Sequence, residues 1–248
     1  MLNIKKQTAA LTAAVAVTAL AGSALAVPYT ITHVFGTRSA SVSFEALGTD
    51  LVVVLTNTSA NDALVPVDVL TAVFFDLQGA GALGSGSAVL SGGSSVSYDP
   101  DGQPAGGVVG GEWAYAEGLA GAPLSATRGI SSAGFGLFGG PTFPGANLAP
   151  PAAIDGLQYG ILPAGDLVGT GNGGITGSGG LINNQVTFTL TGLNPAFIPS
   201  ASTISNVSFQ YGTALSEPNS VVPEPTTLLA LGTGLVALGA ARRRSRKI

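Results

Sequence analysis

The chain is 248 residues long, with 9 Lys+Arg, 13 Asp+Glu, one His, no Cys and 37 Gly. Without cysteine there is no disulfide framework, no thiolate nucleophile and no cysteine zinc site, and one histidine excludes a His-rich metal centre. Between residues 27 and 222 only Arg38 and Arg128 stand against twelve acids, a balance that repels nucleic acid.

The first segment reads as an export signal. Lys5 and Lys6 give a positive start, residues 11–20 (LTAAVAVTAL) are apolar, and Ala24 and Ala26 put small residues where signal peptidase cuts. Residues 1–26 are therefore expected to be a signal peptide, leaving Val27 as the new N-terminus. The apolar stretch is shorter than the ~20 residues that span a bilayer, which favours cleavage over anchoring.

The body, residues 27–221, shows strand patterning. Tyr29 to Phe35 is expected to open it. Polar and apolar residues alternate in 41–46 (SVSFEA), 185–190 (QVTFTL) and 206–211 (NVSFQY), so each apolar set faces one side. Residues 51–55 (LVVVL) form a continuous β-branched run suited to a central strand, and 67–77 (VDVLTAVFFDL) has strand composition too. Turn residues separate most of these runs, as at Gly48-Thr49-Asp50 and Asn194-Pro195. The expected fold class is all-β, an antiparallel β-sandwich with long Gly/Pro-rich loops. The loops centre on 139–181, which carry five prolines and the run GTGNGGITGSGG.

Several motifs invite a chemical reading. Gly79, Gly81 and Gly84 fit G-x-G-x-x-G after a run of strand composition, but the helix that a dinucleotide needs does not follow. Gly134, Gly136 and Gly139 fit the same pattern, so it is cheap at this glycine content. Asp99, Asp101 and Gly102 resemble the start of a calcium loop. Gln103, Pro104 and Ala105 break the ligand pattern, so a turn is expected and the pair is only a weak calcium candidate.

Glu112-Trp113-Ala114-Tyr115-Ala116-Glu117 sets two acids beside two aromatics. On a strand Trp113 and Tyr115 share a face, which could stack on a sugar; a Trp-centred core patch is the competing and favoured reading. Catalysis by Glu112, Glu117 or Asp155 has no supporting spacing. His33 has no G-x-S-x-G partner and is expected as an edge or half-buried residue. Two formal glycosylation triplets, at Asn57 and Asn206, carry little weight here. No catalytic residue, cofactor or metal is expected.

The end of the chain has three parts in a fixed order. Pro223, Glu224 and Pro225 come first, and these prolines cannot join a helix interior. Residues 226–241 (TTLLALGTGLVALGAA) are uncharged, and as a helix would be about 24 Å long, short for a core of about 30 Å. Arg242, Arg243 and Arg244 lead a basic cluster that should stay cytoplasmic. A C-terminal transmembrane helix is expected on this basis, with local thinning of the bilayer to accommodate it.

This tripartite tail resembles the PEP-CTERM sorting signal of Gram-negative bacteria. The resemblance covers 222–248 and implies recognition of Pro223, Glu224 and Pro225 by exosortase, a membrane-embedded processing enzyme, with Arg242 to Arg244 as the stop. Residues 129–138, 155–160 and 207–213 also look like segments of exosortase-dependent surface proteins. What the resemblance implies is a non-enzymatic protein of the cell surface or extracellular matrix, in a biofilm setting, whose precursor is held in the inner membrane. The alternative is a carbohydrate-binding module, with or without calcium, that reaches extracellular polysaccharide by the same route.

Overall fold

The computed structural model describes residues 27–99, 101–133, 146–148 and 156–223. The strands in chain order are β1 (Tyr29–Phe35), β2 (Arg38–Leu47), β3 (Asp50–Asn57), β4 (Leu70–Leu77), β5 (Gly84–Leu90), β6 (Ser95–Ser97) and β7 (Ala114–Glu117). They continue with β8 (Arg128–Ser131), β9 (Ala146–Asn147), β10 (Ile161–Leu162), β11 (Leu181–Asn183), β12 (Gln185–Thr191), β13 (Ile204–Tyr211) and β14 (Asn219–Val221). A single α-helical turn, Gly173–Thr176, is capped by Asn172, whose side chain accepts from Gly174 N.

Alternation in the sequence becomes alternation in burial. In β3 and β12 every second side chain is buried, and the same holds through the middle of β2. These strands sit side by side in a five-stranded antiparallel sheet of order β1-β2-β3-β12-β5. β12, far along the chain, inserts between β3 and β5. Pairing with β5 shifts register between Thr189 and Thr191, and a Cβ on Gly86 would lie 1.9 Å from Thr189 O. Only glycine allows that approach.

β4 is buried at almost every position because both its faces are covered. Val73 and Phe75 join the main core, where Phe75 meets Phe44 edge-to-face at 5.2 Å across the two sheets. Ala72 and Phe74 face outward into a smaller cluster with Ala114, Ala116, Leu119, Ala122 and Ala126. The continuous apolar run at 67–77 thus has a physical cause. Its first part is not strand, however, because Pro66–Asp68 forms a 3-10 turn.

The expected antiparallel β-sandwich is corrected. Among the described residues the protein is mostly strand in two sheets, but no sheet closes into a true sandwich. The second sheet has nine strands and forks at β4, which pairs with β13 along its length and with both β8 and β10. Within it β10 and β11 run parallel. The expected transmembrane helix, and with it the inner-membrane-anchored precursor, is corrected too. Among the described residues no helix is long and apolar enough to cross a membrane. Residues 226–241 lie outside the described residues, as do 1–26.

Candidate functional site

The sorting motif begins where the fold ends. β13 turns through Gly212 into β14, and the Glu217 carboxylate holds that turn by accepting from the backbone N–H groups of Thr213 and Ala214. Gly212 has a φ of +79°, and the carboxylate packs where its Cβ would be, so glycine is needed on both counts. β14 pairs with β13 from Ser208↔Val221 to Gln210↔Asn219. One residue later Val222 N still donates to Val207 O at 2.9 Å, and the Val222 side chain packs on the main core.

Pro223 is the last described residue. It lines a small apolar recess with Tyr29, Ile31, Ile204, Val207 and Val222. Tyr29 belongs to β1, the first strand after the expected signal cleavage. Val27 beside it is 83% exposed. Both ends of the body therefore leave from one edge of the molecule, with no slack between the last backbone hydrogen bond and Pro223. Sequence reading did not bring Val27 and Pro223 together, since the pairing of chain ends depends on strand order. Glu224, Pro225, Arg242, Arg243 and Arg244, like Ala24 and Ala26, lie outside the described residues.

The other candidate residues serve the fold. Trp113 is 0% exposed and Tyr115 is 5% exposed, so neither offers a ring face to a sugar. Trp113 Nε1 donates to Tyr159 O at 3.1 Å, and its ring meets Phe188 edge-to-face at 5.0 Å. Sugar contact through this pair is corrected by their burial. Burial first, then hydrogen bonding to the Glu117 carboxylate at 2.7 Å, pushes the Tyr115 phenol far up, so it stays protonated. Glu112 is buried, whereas Glu117 is exposed at the rim.

Glu117 is one node of a polar staple. Its Oε1 accepts from Leu83 N at 2.8 Å and from Arg128 Nε at 3.0 Å. Arg128 also donates through Nη1 to Leu77 O and through Nη2 to Gly81 O. Burial pushes the Glu117 carboxyl up, but the hydrogen bonds from Leu83, Tyr115 and Arg128, with the Arg128 charge, hold it below its ordinary value.

Asp99 and Asp101 form a turn. Asp99 Oδ1 accepts from Asp101 N at 2.8 Å, and Asp99 Oδ2 accepts from the Tyr159 hydroxyl at 2.9 Å. Burial, then that hydrogen bond and the nearby acids Asp99, Glu112 and Asp101, push the Tyr159 phenol up to about 12. Among the described residues no group of three or more His, Cys, Asp or Glu side chains could hold a metal ion. His33 lies on edge strand β1 opposite Ala40, half-buried. Gly79 and Gly81 take positive φ in a turn, and the strand β5 follows where a nucleotide site needs a helix. Gly134, Gly136, Gly139 and Asp155 lie outside the described residues.

The chain carries a PEP-CTERM protein-sorting motif, matched over residues 221–245. The match starts at Val221, the last residue of β14. That motif supports a non-enzymatic, exosortase-sorted protein of the surface or extracellular space. No curated protein and no solved structure matches the chain.

Proposed function

We propose that the chain is exported behind a signal peptide of residues 1–26 and then processed by exosortase at or near Pro223-Glu224-Pro225. The β body of 27–221 is delivered to the surface or matrix as a non-catalytic part. The observation that carries this is the abutment of motif and fold: the matched signal begins at the last residue of β14. Two features support the boundaries. The exposed Val27 leaves a signal-peptidase junction accessible, and the backbone bond from Val222 to Val207 protects the chain up to the motif.

Deleting the exosortase of the producing host tests the reading. The expected result is a chain that keeps its C-terminal segment and no longer accumulates at the surface or in the medium. Unchanged removal of residues 226–248 and unchanged delivery would contradict it.

A further inference from the structure

A second site lies away from the sorting junction. An open groove of about 560 Å³ runs between the β1–β2 hairpin turn and the loop from β3 to β4. Thr37, Arg38, Ser59, Asn61, Asp62 and Asp68 line it, with Ala60 and Leu64 as its apolar part. Hydroxyl, amide, carboxylate and guanidinium groups line it, donors and acceptors together.

The groove is built. Arg38 Nε donates to Val67 O and Nη2 to Asp68 Oδ1, both at 2.7 Å, and the guanidinium lies 6.0 Å from the Tyr211 ring centroid. That fixes the plane of the guanidinium, and among the described residues no acceptor pairs with Nη1. Asp68 Oδ2 accepts from Leu64 N and Val65 N, which sets the wall of the loop. Asp62 accepts from Leu167 N and Thr170 Oγ1, and each of its oxygens has a further lone pair to offer. Ser59 Oγ accepts from Ser39 N, tying the loop to β2.

An exposed aromatic is paired with one of the lining residues. Phe35 pairs directly with Arg38 across the hairpin, so the two side chains share a face of the sheet. Phe35 is 48% exposed. An open ring beside fixed polar groups suits a ligand with one apolar C–H face and a ring of hydroxyls. Asp62 and Asp68 outnumber Arg38, which disfavours carboxylated or sulfated chains.

We propose that this groove binds a neutral polysaccharide, with Phe35 stacking on a sugar ring while Arg38 Nη1 donates to, and Asp62 and Asn61 accept from, vicinal hydroxyls. The proposal is independent of how the chain is exported, so failure of the sorting reading leaves it standing, and the reverse also holds.

Affinity electrophoresis of the full chain tests it, in gels containing soluble neutral glucan, galactomannan or acidic alginate. Retardation is expected in at least one neutral gel. Phe35→Ala and Asn61→Ala should each weaken it by about tenfold. Both side chains are exposed, so these variants keep the fold. Val34→Ala, on the opposite face of β1 and 66% exposed, should change nothing. No retardation by either neutral polymer, retardation by alginate alone, or retardation unchanged in both Phe35→Ala and Asn61→Ala would overturn the proposal.

Discussion

The body has two basic side chains, Arg38 and Arg128, and they sit at the two ends of β4. Arg38 bonds to Val67 O and Asp68 just before the strand begins. Arg128 bonds to Leu77 O where it finishes, roughly 25 Å away along an extended strand. Each makes one salt bridge, Arg38 to Asp68 and Arg128 to Glu117. The chemistry around them differs. At the Arg128 end every guanidinium nitrogen has a protein acceptor, and the aromatic Tyr115, bonded to Glu117, is buried. At the Arg38 end Nη1 has no acceptor among the described residues, Arg38 lines a groove, and the aromatic Phe35 is half in solvent. The same residue types make a closed staple at one end and an open site at the other. Residue type alone did not decide which; the number of satisfied donors did.

Breaking the core shared by the two sheets should cost the most. Trp113→Ala removes the largest fully buried side chain and should lower stability by about 3–5 kcal/mol in a denaturant titration. A loss below about 1 kcal/mol would place Trp113 outside the core. Gly86→Ala comes next, since its Cβ would meet Thr189 O head-on; a loss of about 3 kcal/mol is expected by the same titration.

The arginines themselves sharpen the contrast. Arg128→Ala takes one of three donors from Glu117 and the side-chain donor from Leu77 O and Gly81 O, and should cost about 2–3 kcal/mol. Arg38→Ala loses fewer bonds at a more open site and should cost about 1 kcal/mol. Equal losses in matched thermal melts would remove the distinction.

Acid should act first at the closed end. Burial pushes the Asp76 carboxyl up, but hydrogen bonds from Thr127 and Asn206, with the Arg128 charge, outweigh it and hold it low. Glu117 is held low as well. For a carboxyl whose folded value lies below its unfolded one, the stabilisation is whole above the unfolded value and is lost as pH falls through the folded one. Stability should therefore decline below about pH 4. Arg128→Ala should flatten that decline, whereas Arg38→Ala, which touches neither carboxylate, leaves it in place. Melts between pH 2 and pH 7 would show both limbs.

Asp166 works in the opposite sense. Burial and the neighbouring Asp62 push it up against a hydrogen bond from Ala63 N. Its folded form holds its proton longer, so its contribution falls as pH rises from the unfolded value through the folded one. Asp166→Asn should stabilise slightly above that window, the smallest of these effects.

Much of the body was legible from local pattern. Tyr29–Phe35 forms a strand as expected, and the alternating segments at 41–46, 185–190 and 206–211 lie within β2, β12 and β13. Period-two alternation survives because one face of each strand meets the core. Strand order was not legible: β12 inserts between β3 and β5, and β4 forks the larger sheet, through contacts distant in sequence. That is why the sandwich expectation was corrected. Trp113 and Tyr115 left a core patch, the favoured reading, and a sugar platform both open, because their spacing on one face is the same whether that face is buried or open. Arg38 was visible only as one of two internal cations; its groove depends on the β3–β4 loop folding back over the β1–β2 turn. The sorting motif was legible, because its signal is the order of residue types along the chain, whereas the transmembrane helix read into it was corrected.

The central claim is that the chain ends its life as a trimmed β body. The most direct measurement is intact mass with N- and C-terminal peptide mapping on the protein recovered from its host's surface or medium. The account predicts a chain that starts at Val27, ends at or near Pro223 to Pro225, and lacks residues 226–248. An exported protein that still carries Arg242, Arg243 and Arg244 would contradict it.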